Sequence, residues 1–309
     1  MDIAAALPTF VITLREGVEA ALVVGIVLAY LQKAGQQRLN SWVYSGIGVG
    51  VGASVLIGVV FLLLLRLLEE ASQSYAPVMK QFFEGGFSVA AIALLSWMLI
   101  WMTQQARALK ADIEGVVTTT LSQENGAGWG VFGLIAIAVL REGFETVLFI
   151  AAQFQSGWLP VMGAIAGLVG AVIIGIALFQ LGVKINLRRF FQVMGVLLLL
   201  IVSGLVVSAL RHFDTAIHGL AQLDPQWAEV CPDPTGSCIL GPQVWNLSGV
   251  LPDRQFPGVI LKAFFGYTQT LYLAQAIDYV VFLAIVGGIY WQSIRGHKSK
   301  GVKEKSSVA

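Results

Sequence analysis

Two pentapeptides carry most of the chemistry this sequence can do. Arg15-Glu16-Gly17-Val18-Glu19 and Arg141-Glu142-Gly143-Phe144-Glu145 each set one arginine and two glutamates inside a long apolar run. Successive helical residues turn by about 100°, so Glu16 and Glu19, three apart, share one face, as do Glu142 and Glu145. Arg15 and Glu19 are four apart, as are Arg141 and Glu145, so each guanidinium can lean on its own carboxylate. If the two helices face each other, four carboxylates converge. Glu84, in the stretch Phe82-Phe83-Glu84-Gly85-Gly86, would make five against two guanidiniums, a surplus of three negative charges. No Cys or His belongs to this set, and an all-oxygen, anionic site suits a hard cation: Fe³⁺, Fe²⁺, Mn²⁺, Mg²⁺ or Ca²⁺.

Other readings compete. The charges could be a static ion-pair network locking two helices, or a proton relay. A di-metal oxidase site would want Glu-x-x-His, and neither motif has a His there. Glu84 is either a ligand at the edge of the site or a carboxylate snorkelling at the membrane surface. Asp214 and His218, four apart, are a possible capture site or an ordinary solvated helix end that also includes His212. Asp278 either joins the pathway or caps a neighbour. No permanently bound cofactor and no catalytic residue is expected.

The elements that must position these groups are transmembrane helices. Of 309 residues, 57% are hydrophobic and only 12% charged, with net charge +1; the mean hydropathy is +0.78. That balance excludes a disordered chain, a nucleic-acid binder and a disulfide-rich mini-domain. Seven apolar stretches are long enough to span a bilayer: 8–31, 42–66, 79–103, 129–152, 160–182, 189–211 and 269–292. The expected fold is an all-α integral membrane protein. No signal peptide is expected, because the first residues lack a basic segment. The seventh span has no Lys, which excludes a retinal Schiff base. A mid-span charge costs about 2.5–3.5 kcal/mol, so three per helix oppose insertion by roughly 7–10 kcal/mol if unpaired. A chain that carries this twice is using the charges.

The spans repeat. The two pentapeptides are offset by 126 residues. Gly46, Gly50 and Gly58 of span two recur as Gly163, Gly167 and Gly175 of span five, offset by 117. Lys80-Gln81-Phe82-Phe83-Glu84 recurs as Arg188-Arg189-Phe190-Phe191-Gln192, offset by 108, so Glu84 becomes Gln192. Three spans per copy is an odd number, so the second copy enters from the opposite side: an inverted 3+3 repeat with its site near the midplane. The glycines read as close-packing surfaces. The expected divisions are 1–103 (first repeat), 104–128 (cytoplasmic loop), 129–211 (second repeat), 212–268 (extracytoplasmic loop), 269–292 (seventh span) and 293–309 (basic cytoplasmic tail, expected to be disordered).

Orientation follows from the basic flanks. Twelve Lys and Arg fall on one side: Lys33, Arg38, Arg107, Lys110, Lys184, Arg188, Arg189, Arg295, Lys298, Lys300, Lys303 and Lys305. Five fall on the other: Arg66, Lys80, Arg211, Arg254 and Lys262. The N-terminus is therefore expected outside and the C-terminus in the cytoplasm. Cys231 and Cys238 lie in the long outer loop, where a disulfide is the expected state, against free thiols or soft metal ligands.

REGVE at 15–19 and REGFE at 141–145, in the first and fourth of seven spans, resemble the motifs of the oxidase-dependent iron permeases, which include fungal high-affinity iron permeases and bacterial EfeU-type proteins. Glu84-Gly85-Gly86 resembles that family's third helix, and VWNLSGVLP (244–252) with Gly266-Tyr267 its outer loop. The resemblance covers nearly the whole chain. It implies a permease rather than an enzyme, with iron as substrate, delivered as Fe³⁺ after oxidation of Fe²⁺ at the outer face. It implies that Glu16, Glu19, Glu142 and Glu145 bind the iron. It implies, as partners, a periplasmic iron-binding protein and a haem peroxidase or a ferroxidase. The absence of the acidic outer-loop motif of fungal members favours a multi-pass protein of a bacterial inner membrane. Some relatives handle lead, so another metal is the alternative cargo, and a non-transporting membrane protein with structural ion pairs the alternative class. An exporter would differ only in direction. In the expected mechanism iron enters from the outer loop, passes Glu84, is held between spans one and four, and is released by rocking of the halves or protonation of a glutamate.

Overall fold

A computed structural model describes residues 6–70, 76–105, 127–152, 158–182, 186–223, 230–231 and 236–306. The helices are α1 (Ala6–Lys33), α2 (Asn40–Glu70), α3 (Ala76–Gln105), α4 (Ala127–Ala152), α5 (Leu159–Phe179), α6 (Leu187–Leu223), the short α7 (Gly258–Phe265) and α8 (Leu273–Ser306). A two-stranded antiparallel sheet pairs β1 (Gln243–Asn246) with β2 (Thr270–Tyr272). Among the described residues, six helices are long and apolar enough to cross a membrane: α2 to α6 and α8. The remaining long helix, α1, has 28 residues, about 42 Å at 1.5 Å per residue, but carries Arg15, Glu16 and Glu19 in its middle. Apolar side chains exposed on the outside, such as Leu56, Trp97, Ile137 and Trp158, give the helices a surface suited to lipid.

The chain divides into two units. One holds α1, most of α2, α4, α5 and the start of α6. In it Val23, Val27 and Leu31 of α1 pack with Val43 of α2 and Val131, Ile135 and Val139 of α4, which brings the two motif helices against a common core. Glycines set the closest approaches. A Cβ on Gly46 of α2 would lie 2.9 Å from the Phe132 carbonyl of α4, and one on Gly50 would lie 3.0 Å from that of Ala136. On α5, Gly163 faces the Ala6 backbone, and a Cβ on Gly167 would lie 2.6 Å from the Phe10 carbonyl of α1. Further along, Gly58 meets Val147 and Gly175 meets Ala21. The touched residues Ala6, Phe10 and Ala21 lie 126 positions before Phe132, Ala136 and Val147. So α2 lies on α4 as α5 lies on α1.

The other unit holds α3, most of α6, α8 and the loop between them. Here α6 runs on to Leu223, so His212, Asp214 and His218 lie on helix where the loop was expected from 212. No proline or glycine interrupts 205–218, which leaves the helix nothing to stop it. The loop carries order of its own. The β1–β2 pair closes it, α7 ends at Gly266 with φ of 66°, and Gly266 packs on Gly204 of α6, where no side chain would fit. Tyr267 donates to the Leu251 carbonyl at 2.8 Å. The seventh apolar stretch, expected from 269, begins as strand β2 and turns helical only at Leu273. The basic tail is helical to Ser306 rather than disordered; its run of Lys, Glu and Ser holds no proline. Most of the expected loop 104–128 (residues 106–126, with Arg107 and Lys110) and Lys184 lie outside the described residues.

Candidate metal site

The motif helices α1 and α4 bring their carboxylates together inside one unit. One oxygen each from Glu16, Glu19 and Glu142 lie within 4.8 Å of one another. Glu16 is 1% exposed and Glu142 8%. The two arginines, equivalent in sequence, are not equivalent in space. Arg15 is buried and bridges its own motif, with Nη1 2.9 Å from Glu16 and Nη2 2.9 Å from Glu19. Arg141 is 45% exposed, with Nε 3.3 Å from Glu145 and 3.9 Å from Glu142. Glu145, the fourth expected carboxylate, is drawn toward Arg141 and stands outside the group of three.

Glu16 Oε2, Glu142 Oε2 and Glu145 Oε2 are buried without a hydrogen-bond partner. A buried carboxylate oxygen that finds no donor is costly, and three from two motifs ask for a cation or a proton. Four carboxylates against two guanidiniums leave this unit's cluster formally anionic. The donor set is all oxygen, which fits a hard cation. The motif glycines lie at close contacts between helices. A Cβ on Gly17 would stand 2.6 Å from the Cβ of Ala171 on α5, and one on Gly143 2.6 Å from that of Ser54 on α2. Each glutamate pair is thus mounted beside a residue that can only be small. The sequence showed these glycines at the third place of both motifs, but not what they touch. Val18 and Leu22 pack with Ala171, backed by Phe190 and Phe191 of α6, so the turn carrying the glutamates is held on its far side by apolar contact.

The remaining predicted residues belong to the other unit. Glu84 on α3 meets His212 on α6, Oε2 to Nδ1, at 2.8 Å, and Gln81 Oε1 lies 2.8 Å from the same nitrogen. Glu84 and His212 are 128 residues apart, and nothing local in the sequence marks them as partners. Asp214 Oδ1 accepts hydrogen bonds from Ser237 Oγ, Cys238 N–H and Ile239 N–H at 2.7–2.9 Å, so it staples the outer loop to α6. His218 Nδ1 is 3.6 Å from Cys238 Sγ, and Cys231 is bonded to Cys238. Asp278 is half-buried on α8.

The model of the iron permease FTR1 family matches residues 6–295. The chain belongs to the iron permease FTR1 family. It is 46% identical over 311 residues to an uncharacterized protein of Synechocystis sp., covering 99% of this chain and 100% of that one. It is 30% identical over 277 residues to the ferrous iron permease EfeU of Escherichia coli (89% of this chain, 91% of the relative). It is 29% identical over 276 residues to that of Yersinia pestis, covering 89% of each. No solved structure matches the chain. This FTR1-family chain is therefore a multi-pass membrane transporter rather than an enzyme, in a family whose cargo is iron, the family that REGVE and REGFE resemble.

Proposed function

We propose that this permease carries iron inward across the bacterial inner membrane, and that the carboxylates of Glu16, Glu19, Glu142 and Glu145 bind the ion in transit. The observation that carries this reading is the meeting of three carboxylates from two distant motifs within 4.8 Å, with buried oxygens left without donors. Arg15 and Arg141 hold the glutamates apart from one another's charge. Glu84 is a further station in its own unit.

In this reading α1 is the seventh span, its charges matched by their own ion pairs and by the cargo. The topology is an inverted 3+3 repeat with the N-terminus outside and the C-terminus in the cytoplasm. Support comes from the matched contacts: Gly46, Gly50, Ser54 and Gly58 on α4 against Gly163, Gly167, Ala171 and Gly175 on α1. An anionic oxygen cage favours Fe³⁺, formed by oxidation of Fe²⁺ at the outer face by a haem peroxidase or ferroxidase and delivered by a periplasmic iron-binding protein. The second reading is direct transport of Fe²⁺, favoured by the printed name of the EfeU relatives, ferrous iron permeases.

The test is uptake of radioactive iron into proteoliposomes, with Fe²⁺ and Fe³⁺ offered separately, for the wild type and Glu142→Gln. Uptake that the substitution abolishes is expected. Equal uptake by correctly inserted Glu142→Gln protein would refute the assignment of the site, and the ion preferred by the wild type selects between the two readings.

A further inference from the structure

We propose that Gln81, Glu84 and His212 form a second cation station, of mixed nitrogen and oxygen donors, which takes a divalent transition-metal ion such as Fe²⁺ or Mn²⁺. It lies within the unit built on α3, α6 and α8 and does not require the REGxE carboxylates to bind anything.

The geometry begins with packing. Gln81 and Glu84 are three apart on α3 and share a face. The residue after Glu84 is Gly85, and a Cβ there would lie 2.9 Å from the Phe213 ring of α6. One turn and more toward the start of α3, Val78 meets Gly219 of α6 in the same way. Phe82 and Phe213 complete the contact with ring centroids 6.3 Å apart. These close approaches set His212, the neighbour of Phe213, against the Gln81–Glu84 face.

Three ligand-type atoms then meet. His212 Nδ1 is 2.8 Å from Glu84 Oε2 and 2.8 Å from Gln81 Oε1. Around an ion with bonds of ~2.1 Å at right angles, neighbouring donor atoms stand ~3.0 Å apart. The observed separations are close to that edge, so an ion can replace the Nδ1 proton with small shifts of the side chains. Glu84 Oε1 is buried without a hydrogen-bond partner, a second carboxylate oxygen ready for the same ion. Glu84 Oε2 and Gln81 Oε1 face a nitrogen with only one proton to offer. His212 is 33% exposed at its side chain, so the station is open on one side.

The donor types decide the class of ion. Imidazole suits first-row transition metals, while Mg²⁺ and Ca²⁺ prefer oxygen alone. This station therefore differs in kind from the all-oxygen cluster of the REGxE motifs. The chain carries two donor sets of different softness, one for a borderline divalent ion and one for a hard ion.

The test uses tagless full-length protein in lipid nanodiscs loaded with Mn²⁺ alone. Pulsed EPR reads nitrogen-14 modulation when an imidazole nitrogen is bound to the ion. Modulation is expected in the wild type and in a Glu16→Gln/Glu142→Gln background, which removes the other candidate cluster. It is expected to vanish in His212→Ala and to persist in His218→Ala. Glu84→Gln is expected to weaken Mn²⁺ binding at least about tenfold. Bound Mn²⁺ without nitrogen modulation would mean that His212 only holds Glu84 by a hydrogen bond, and would overturn the proposal. So would modulation that survives His212→Ala, or no Mn²⁺ bound in the Glu16→Gln/Glu142→Gln background. Should His212→Ala fail to insert, the wild-type spectrum and His212→Gln decide. Loss of iron uptake in Glu142→Gln with the modulation intact would separate the two sites.

Discussion

Arg15 and Arg141 hold the same place in two copies of one motif, yet one is sealed inside the helix bundle and the other is 45% exposed. Removing one partner of a buried ion pair leaves uncompensated charge and costs about 3–5 kcal/mol, whereas an exposed pair contributes about 0–1 kcal/mol. Arg15→Ala is thus expected to lower the thermal stability of the purified protein far more than Arg141→Ala. Equal shifts in a melting experiment would show that the two guanidiniums have the same surroundings in the membrane. The carboxylates differ too. Glu142 lies in the group of three, and Glu145 turns to Arg141. Glu142→Gln is expected to reduce iron affinity, read by equilibrium binding, more than Glu145→Gln.

At the scale of the helices, the motif glycines are points of close approach. Gly17→Ala adds a methyl group 2.6 Å from the Ala171 Cβ, and overpacking of this kind costs about 1–3 kcal/mol. The paired change Ala171→Gly is expected to restore most of that loss, because it removes the atom that is struck. The equivalent cycle, Gly143→Ala with Ser54→Gly, is expected to behave alike, since the Cβ there also meets its neighbour at 2.6 Å. Stability measured over each double-mutant cycle checks this; additive losses without rescue would mean that the glycines serve backbone freedom rather than close approach. The Gly46, Gly50 and Gly163, Gly167 pairs were legible in the sequence as close-packing surfaces. Which helix each one packs against was not, because a small residue says that something comes near and not what.

For the molecule as a whole, twelve basic residues against five set the expected orientation. A fluorescent protein fused after Ala309 is expected to fold and fluoresce in the cytoplasm. Cys231 and Cys238, once reduced, are expected to react with a membrane-impermeant thiol reagent added outside. Labelling only from the inside would reverse the topology.

Membrane helices, the doubled REGxE motif and the family were all legible in the sequence. They depend on local quantities: hydropathy over some twenty residues, the helical turn that puts Glu16 beside Glu19, and the side-chain type. Only the tertiary structure decided which carboxylates meet, that Arg15 is buried and Arg141 is not, that Asp214 ties down the loop, and that His212 faces Glu84. All but the Asp214 bonds depend on how two helices cross. The crossing is set by where Gly17, Gly85 or Gly143 lets a side chain of another helix approach, a relation between residues far apart in the chain that neither segment carries alone.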